Sequence, residues 1–543
     1  MYHEVANFLA QVTLEQGYVL HGSDTPGPLL DVPLSITPDR SLLVYVGPAY
    51  GPADHVKYLQ RKVPMIEPRS SNCWSRSSSK NCSWVLQTGS LPDRVMPRFL
   101  STLLAVLAAS TVQASLDLVS GATWTATNTG EHVQAHGHGL IEVDGTYYMI
   151  GEDKTDGTYF QNVNCYSSTN LVEWTYRGAL LSRTSEAGDL GPNRIVERPK
   201  VIYNDQTKKY VLYMHIDSPD YKDARVGIAT GDSVCGKYTY HRSFRPLGKQ
   251  SRDMGLFKDD DGSAYLLTED REYGTRIMAL SDDYLNVTEI TYEWQYFAES
   301  PAMLKQNGYY FIFGSHLTGW NANDNIYSYA KSLSGPWSNW TEFAPIGSKT
   351  YQSQVSYIQP LGNGNAIYIG DRWVSTNLAA STYVWLPLKV DGTKVTLSWY
   401  DSWSPNLSKG TWSETKMTKI EGETATMGND ARVISCSECS GGQAVGYIGG
   451  DKKGTLTFKN IKSSGGTATI NVKYRNGDTG SRYATVNVNG ESQKLAFLST
   501  SHLSQTGLSR GFFDLKEGSD NIITISNNDG WGPDVDALMP PAA

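Results

Sequence analysis

Nothing in this sequence offers a handle for nucleic acid or for an anionic membrane. It has no basic run, and 47 Lys+Arg are outnumbered by 55 Asp+Glu, a net charge of −8. That balance argues against both classes of partner. Cysteine is scarce: six residues, at 73, 82, 165, 235, 436 and 439. Cys436-Ser-Glu-Cys439 lacks the second Cys/His pair that a zinc site needs. In an exported protein it reads as a local disulfide, and Cys165 with Cys235 offers a second bridge. No long helical period occurs after residue 114, and the one apolar run before it is too short to span a bilayer. What abounds is Trp (14), Tyr (33) and Gly (51), the composition of a β-rich chain dense in turns. Most of those aromatics belong in a core, and exposed ones can stack on sugar faces.

A length of 543 residues predicts two or three domains. The first 95 residues contain scattered prolines, a Ser-rich patch from Ser70 to Ser83 and no repeat. Met96-Pro-Arg98 then opens an apolar run that ends Val112-Gln-Ala114. A basic start, a short apolar core and a small-x-small ending are the marks of a secretory leader. Leaders work at an N-terminus, so 1–95 is read as an over-extended start that is not part of the fold. The mature chain is expected to begin near Ser115 and to be secreted. Asn286-Val-Thr, Asn339-Trp-Thr and Asn406-Leu-Ser are glycosylation acceptors that suit export.

One grammar recurs after the leader: a strand, a turn on Asn/Asp-Gly, then a second, aromatic-rich strand. Glu299 to His316, turning at Asn307-Gly308, is the clearest copy. Asn-Gly between apolar runs is a strong hairpin signal because both residues tolerate φ > 0. The copies start at His138, Pro199, Met254, Ser300 and Gln354, spaced 61, 55, 46 and 54 residues apart. Hairpins at a period near 50 signify radial blades, which must stack and close because one blade cannot bury both faces. The reading is an all-β chain with a five-bladed β-propeller over 115–412. A linker at 413–419 leads to 420–543, where short alternating strands such as Ala468 to Tyr474 and Asn521 to Ser526 predict a β-sandwich of jelly-roll type.

A propeller aims the mouths of its inner strands at one axial pocket, and those mouths carry Glu197, Asp253, Glu299 and Gln354. Glycoside cleavage needs an acid for the leaving oxygen and a way to deliver water from the opposite face. Glu299, between Phe297-Ala298 and Ser300-Pro301, is the candidate acid, since apolar surroundings raise a carboxyl pKa. Asp253 is placed to tune it, and Glu197 and Glu152 are further carboxylates from neighbouring blades. Any one of these could instead be a structural ion-pair partner of Arg198 or Arg252. Asp259-Asp260-Asp261-Gly262 sits at a hairpin tip without the alternating ligands of a calcium loop, so it reads as a solvated turn. His136-Gly-His138 has no third ligand nearby in sequence. In the C-terminal segment, Glu421 and Glu423 share one strand face, with Asp536 near the chain's end. Such carboxylates suit a hard cation such as Ca²⁺, or are ordinary surface charge.

Residues 120 to about 412 resemble glycoside hydrolase family 43, in particular its fungal exo-β-1,3-galactanases. The matching stretches are Gln134-Ala-His-Gly, Gly151-Glu-Asp-Lys, Val196-Glu-Arg-Pro-Lys-Val, Ser251-Arg-Asp, Glu299-Ser-Pro, Ser315-His with Gly319-Trp320, Ser353-Gln354 and Gly370-Asp-Arg-Trp373. The resemblance implies inversion of configuration with Glu299 as general acid and Asp253 and Glu197 as pocket carboxylates. It also implies that Glu152, Tyr221 and Trp320 contact the sugar. The wider family places an Asp base at the first blade, where this chain has His136-Gly-His138-Gly. The galactanase subgroup shares that departure and uses a Gln, matched by Gln354, to position the water. Glu197 is the second candidate for its proton. The C-terminal segment resembles a family 35 carbohydrate-binding module, which implies structural calcium at Glu421, Glu423 and Asp536 and a galactose-type site at Tyr447, Asn528 and Trp531. The expectation is a secreted, monomeric exo-β-1,3-galactanase acting on arabinogalactan, needing no cofactor for catalysis. An arabinofuranosidase or xylosidase of the same propeller family, or a non-catalytic galactan-binding lectin, are the alternatives.

Overall fold

The computed structural model describes residues 116–501 and 503–542, with the backbone of three strands nearer the N-terminus. Those strands, Leu34–Ile36, Ser41–Val46 and Lys57–Lys62, pair antiparallel within one compact unit, 1–110. The second unit, 111–543, holds all that follows. The leader expected at 96–114 lies outside the described residues, as does the rest of the chain before it.

Residues 136–397 form five antiparallel four-stranded sheets in simple sequence order. Their first strands are His136–Val143, Ile195–Asn204, Met254–Lys258, Glu299–Gln306 and Gln354–Gly362. Each touches the next, and the fifth returns to the first. The expected turns form as written: φ is positive at both residues of Asp144-Gly145 (50°, 73°), Asn307-Gly308 (53°, 76°) and Asn363-Gly364 (51°, 78°). This is the mirror-image turn whose twist matches the flanking strands. Apolar residues fill the gaps between successive sheets. Met214, Leu212 and Val163 lie between the first and second, and Phe311, Phe313, Tyr368 and Leu386 between the fourth and fifth.

A sixth sheet corrects the count of five drawn from the hairpin repeats. Leu118–Val119 pairs with Ser402–Asn406, which pairs with Thr411–Glu414. This sheet lacks the Asn/Asp-Gly hairpin of the others: two of its strands form a hairpin across 407–410, and the third comes from the opposite end of the propeller segment. It ties those ends together without a covalent link. Trp403, fully buried, donates from Nε1 to Trp385 O at 2.9 Å.

The C-terminal segment also departs from the expected sandwich of two sheets. Its strands form one nine-stranded sheet, curled over a single core of Leu456, Ile470, Val486, Phe497, Ile523 and Val535. Two strands of unusual length, Thr455–Arg475 and Gly507–Ser526, run through it, with register shifts near Phe458 and Ile461. Bulges of this kind let a strand bend from one layer into the next, so the sheet never breaks in two. The curled sheet packs on the propeller through Arg510, which is 2% exposed. Its guanidinium lies 4.2 Å from the Trp124 ring centroid and donates to Val172 O at 2.8 Å. Both disulfides are present: Cys165–Cys235 joins the first two blades, and Cys436–Cys439 closes a local loop. Asn286, Asn339 and Asn406 are all exposed.

Candidate functional site

Four inner strands reach the axis through the same local device. In the first, second, fourth and fifth sheets the pairing slips next to the mouth of the inner strand. In three of them the residue after the site position has positive φ: Gly137 (58°), Arg198 (55°) and Ser300 (55°). A bulge re-aims a side chain and raises the local twist. Here it turns His136, Glu197 and Glu299 out of the regular alternation. Two of the three residues carrying positive φ are not glycine, so the conformation is held against a steric cost of about 1–2 kcal/mol each. Ser300 recovers part of that cost by donating from Oγ to Val355 O in the fifth sheet.

The pocket carboxylates form a linked set. Lys154 Nζ sits between Glu152 Oε2 (2.7 Å) and Glu197 Oε1 (3.0 Å), with all three side chains buried. Tyr221 donates its hydroxyl to Glu197 Oε1 at 3.1 Å. Trp320 covers this group, its ring centroid 5.1 Å from Lys154 Nζ and 4.8 Å from the Trp373 ring. Arg198 reaches across the axis to Asp253 Oδ2 (3.0 Å) and also donates to Gln354 Oε1. Gln354 is held at both ends: its Oε1 also accepts from Trp373 Nε1 and its Nε2 donates one N–H to Ser315 Oγ, both at 2.9 Å. Ser315 is in turn the cross-strand partner of Glu299. The structure therefore gathers all seven expected propeller residues, Glu152, Glu197, Tyr221, Asp253, Glu299, Trp320 and Gln354, into one cluster of contacts and charges.

Their electrostatics diverge. Burial, then the charges of Asp253 and Glu269, push the Glu299 carboxyl up to about 8, although Arg271 pairs with it. Glu197 goes the other way. Burial alone would raise it, but Lys154 and His215 together hold it well below the usual carboxylate range. Burial raises its neighbour Glu152, with Lys154 opposing and the charge of Glu197 adding. Two carboxyl groups with pKa values pushed apart are the arrangement expected of an acid and an ionised partner at neutral pH.

Several groups were not singled out in the sequence. His215 lies opposite Glu197, with Nδ1 3.5 Å from Glu197 Oε2 and Nε2 2.8 Å from Asp217 Oδ2. Asp217 Oδ1 also accepts from the backbone N–H of Ser218, Asp223 and Ala224, which shapes the loop presenting Tyr221. Counting outward from the 204–209 turn pairs His215 with Arg198. The bulge between Tyr213 and His215 shifts it onto Glu197, and no local signal announces a bulge there. Arg271, half-exposed, links Glu269 to Glu299 from a turn with no motif of its own. One donor atom each from Glu197, His215 and Asp253 lie within 4.8 Å of one another, so these three could hold a metal ion.

His136 and His138 are fully buried, with His136 Nδ1 3.1 Å from Asp371 and His138 stacked near Trp385. Asp259 is not the solvated side chain its tripeptide suggested. It accepts from Tyr310 Oη at 2.6 Å and pairs with Lys305, tying the third blade to the fourth. A cavity of about 800 Å³ opens at the other end of the axis, lined by Leu140, Tyr203, Leu256, Leu304 and Tyr357. It contains none of the expected site residues.

The expected residues of the C-terminal segment fall into two groups. Tyr447 and Trp531 form an exposed pair with centroids 5.9 Å apart, and Asn528 nearby accepts from Lys453 through its carbonyl. Glu421 Oε2 and Asp536 Oδ1 both accept from Ser440 Oγ at 2.7 Å, while Glu423 Oε2 is buried without a partner. Lys473 Nζ stands 2.9 Å from Asp536 Oδ2. The oxygens of these three carboxylates do not gather within 4.8 Å; among the described residues only the Glu197 set does. An oxygen-liganded cation there would take the orphaned Glu423 oxygen and would have to displace Lys473 from Asp536.

Comparison with known proteins bears on the same pocket. The family model for glycosyl hydrolases family 43 matches residues 134–379, a span that includes all seven pocket residues and stops short of the curled sheet. Among solved structures, the chain is similar to the exo-β-1,3-galactanase of Phanerochaete chrysosporium with galactose. The two are 38% identical over 78% of this chain and 100% of that one, with a TM-score of 0.57. It is also similar to an exo-β-1,3-galactanase of Clostridium thermocellum, at 26% identity over 77% of this chain and 100% of that one, with a TM-score of 0.52. A xylan 1,3-β-xylosidase of a Vibrio species is 24% identical over 197 residues, which are 32% of this chain and 34% of that relative. The match thus spans about a third of that relative's length.

Proposed function

The chain belongs to family 43 of the glycosyl hydrolases, and from that premise we propose an inverting, exo-acting galactanase. Its substrate is β-1,3-galactan, the backbone of arabinogalactan, cleaved from the non-reducing end to release galactose units. The arrangement that carries the chemistry is the split between Glu299, whose carboxyl burial and the charges of Asp253 and Glu269 push up to about 8, and Glu197, which Lys154 and His215 hold ionised in the same cluster. Glu299 protonates the departing glycosidic oxygen as general acid. Water attacks the anomeric carbon from the opposite face. Gln354 positions that water through the second N–H of Nε2, the first being given to Ser315 Oγ, but an amide is a poor proton acceptor. Glu197 Oε2, the oxygen not held by Lys154, takes the proton. Asp253 tunes Glu299 by charge, and Glu152, Tyr221 and Trp320 hold the terminal sugar.

The choice of galactan rests on the named relatives at 26–38% identity along their full lengths. The curled sheet acts as a carbohydrate-binding module of the family 35 type. Tyr447, Asn528 and Trp531 supply its sugar platform, and Glu421, Glu423 and Asp536 would hold a structural calcium. The protein works as a secreted monomer, glycosylated at its exposed acceptors. Removal of calcium with a chelator is expected to lower the melting temperature and weaken galactan binding by the module. If the chelator leaves both unchanged, the calcium site is refuted.

Product analysis on linear β-1,3-galactan tests the central reading. Galactose released as the α-anomer is the expected result, and no reducing sugar at all would leave a lectin. Faster turnover of aryl xylosides or arabinosides than of galactan would move the enzyme elsewhere in the family.

A further inference from the structure

We propose that Glu197, His215 and Asp253 form a site for a divalent ion of the zinc or copper class, and that an ion bound there closes the pocket to sugar. The donors come from three different chain segments, yet one atom of each lies within 4.8 Å of the others. His215 is 1% exposed and its Nδ1 is paired with Glu197 Oε2 at 3.5 Å, longer than a well-formed hydrogen bond. Its other nitrogen is anchored on Asp217 Oδ2 at 2.8 Å. A carboxylate behind the far ring nitrogen is the arrangement that orients a metal-binding imidazole. Lys154 holds Glu197 through Oε1 and Arg198 holds Asp253 through Oδ2, each at 3.0 Å. Glu197 Oε2 and Asp253 Oδ1 remain for the ion.

One imidazole and two carboxylates favour zinc or copper over calcium or magnesium, which take all-oxygen shells. Three protein ligands leave a fourth position open to water. Lys154 and Arg198 neutralise the two carboxylates, so the ion is held reversibly rather than as a structural element. Binding exchanges the Nδ1 proton for the ion, and the proton leaves to solvent. The ion and the terminal sugar compete for Glu197, so zinc is a reversible inhibitor. That last consequence rests on the proposed function; the binding itself does not.

The test is zinc chloride titrated calorimetrically into the full chain, with parallel assays on β-1,3-galactan. The expected result is one bound equivalent that His215→Gln abolishes, with apparent affinity down at least about 100-fold, and that Asp217→Asn weakens by about 10–100-fold. Zinc should slow galactose release and EDTA should restore it. Melting curves in EDTA show whether each variant is folded. If His215→Gln is not, Asp253→Asn, at a partly exposed side chain, must lose the equivalent instead. No binding up to millimolar zinc, or equal binding by parent and folded variants, overturns the proposal. Specific binding that leaves galactan cleavage untouched supports the metal site and refutes the catalytic reading of this pocket.

Discussion

At the scale of single residues, the pocket runs on opposed environments for similar groups. Glu299 and Glu197 are both 5% exposed, yet neighbours drive their carboxyls apart. Asp253 and Glu269 add to the burial of Glu299, while Lys154 and His215 outweigh the burial of Glu197. A general acid works only while protonated, so kcat/KM should fall as pH rises through about 8, the value for the Glu299 carboxyl. Arg271→Gln removes a cation that opposes this rise, so its alkaline limb should move to higher pH. An unshifted limb in that variant would detach Glu299 from the titration. Glu299→Gln should cost about 10²–10⁴-fold in kcat on galactan. Gln354→Glu should keep measurable activity. Arg198 and Trp373 can still donate to a carboxylate there, and the Ser315 hydroxyl can turn from acceptor to donor.

At the scale of elements, the recurring bulge matters more than the strand that bears it. Ser300 combines a left-handed backbone with a bond to the fifth sheet, and substitution separates the two. Ser300→Gly removes the hydrogen bond and relieves the strain, for a net loss within about 1 kcal/mol. Ser300→Val loses the bond and adds a branched side chain at positive φ, a cost of about 2–3 kcal/mol. Urea unfolding of the pair measures the difference, and equal midpoints would refute the bulge as the reason Glu299 faces the axis.

At the scale of the whole molecule, closure of the ring and docking of the curled sheet depend on a few long-range ties. Cys165–Cys235 spans 70 residues, and a closed loop of that size stabilises by about 4 kcal/mol in the chain-entropy account. Cys165→Ala with Cys235→Ala should lower the melting temperature accordingly, and unchanged melting would show the blades hold without it. Arg510 bridges curled sheet and propeller from a buried position. Arg510→Ala should split one calorimetric transition into two, as docking weakens before either body unfolds. A single unshifted transition would show that the remaining contacts suffice.

Much was legible because turns and periodicity act locally. Asn307-Gly308, Asp144-Gly145 and Asn363-Gly364 specify their hairpins by φ values that they adopt at little cost, and the repeat of those hairpins entails a ring whose mouths converge. The identities of Glu197, Asp253, Glu299 and Gln354 as pocket residues follow from that position. The sixth sheet, the single curled C-terminal sheet and the pairing of His215 with Glu197 were settled only in three dimensions. The first joins strands nearly three hundred residues apart. The second depends on strands bending where no turn residue marks the bend. The third turns on a one-residue slip that flips which side chain faces which. Local chemistry determines where a chain turns; which strands meet after the turning, and in what register, is decided by packing between segments that have no knowledge of each other along the chain.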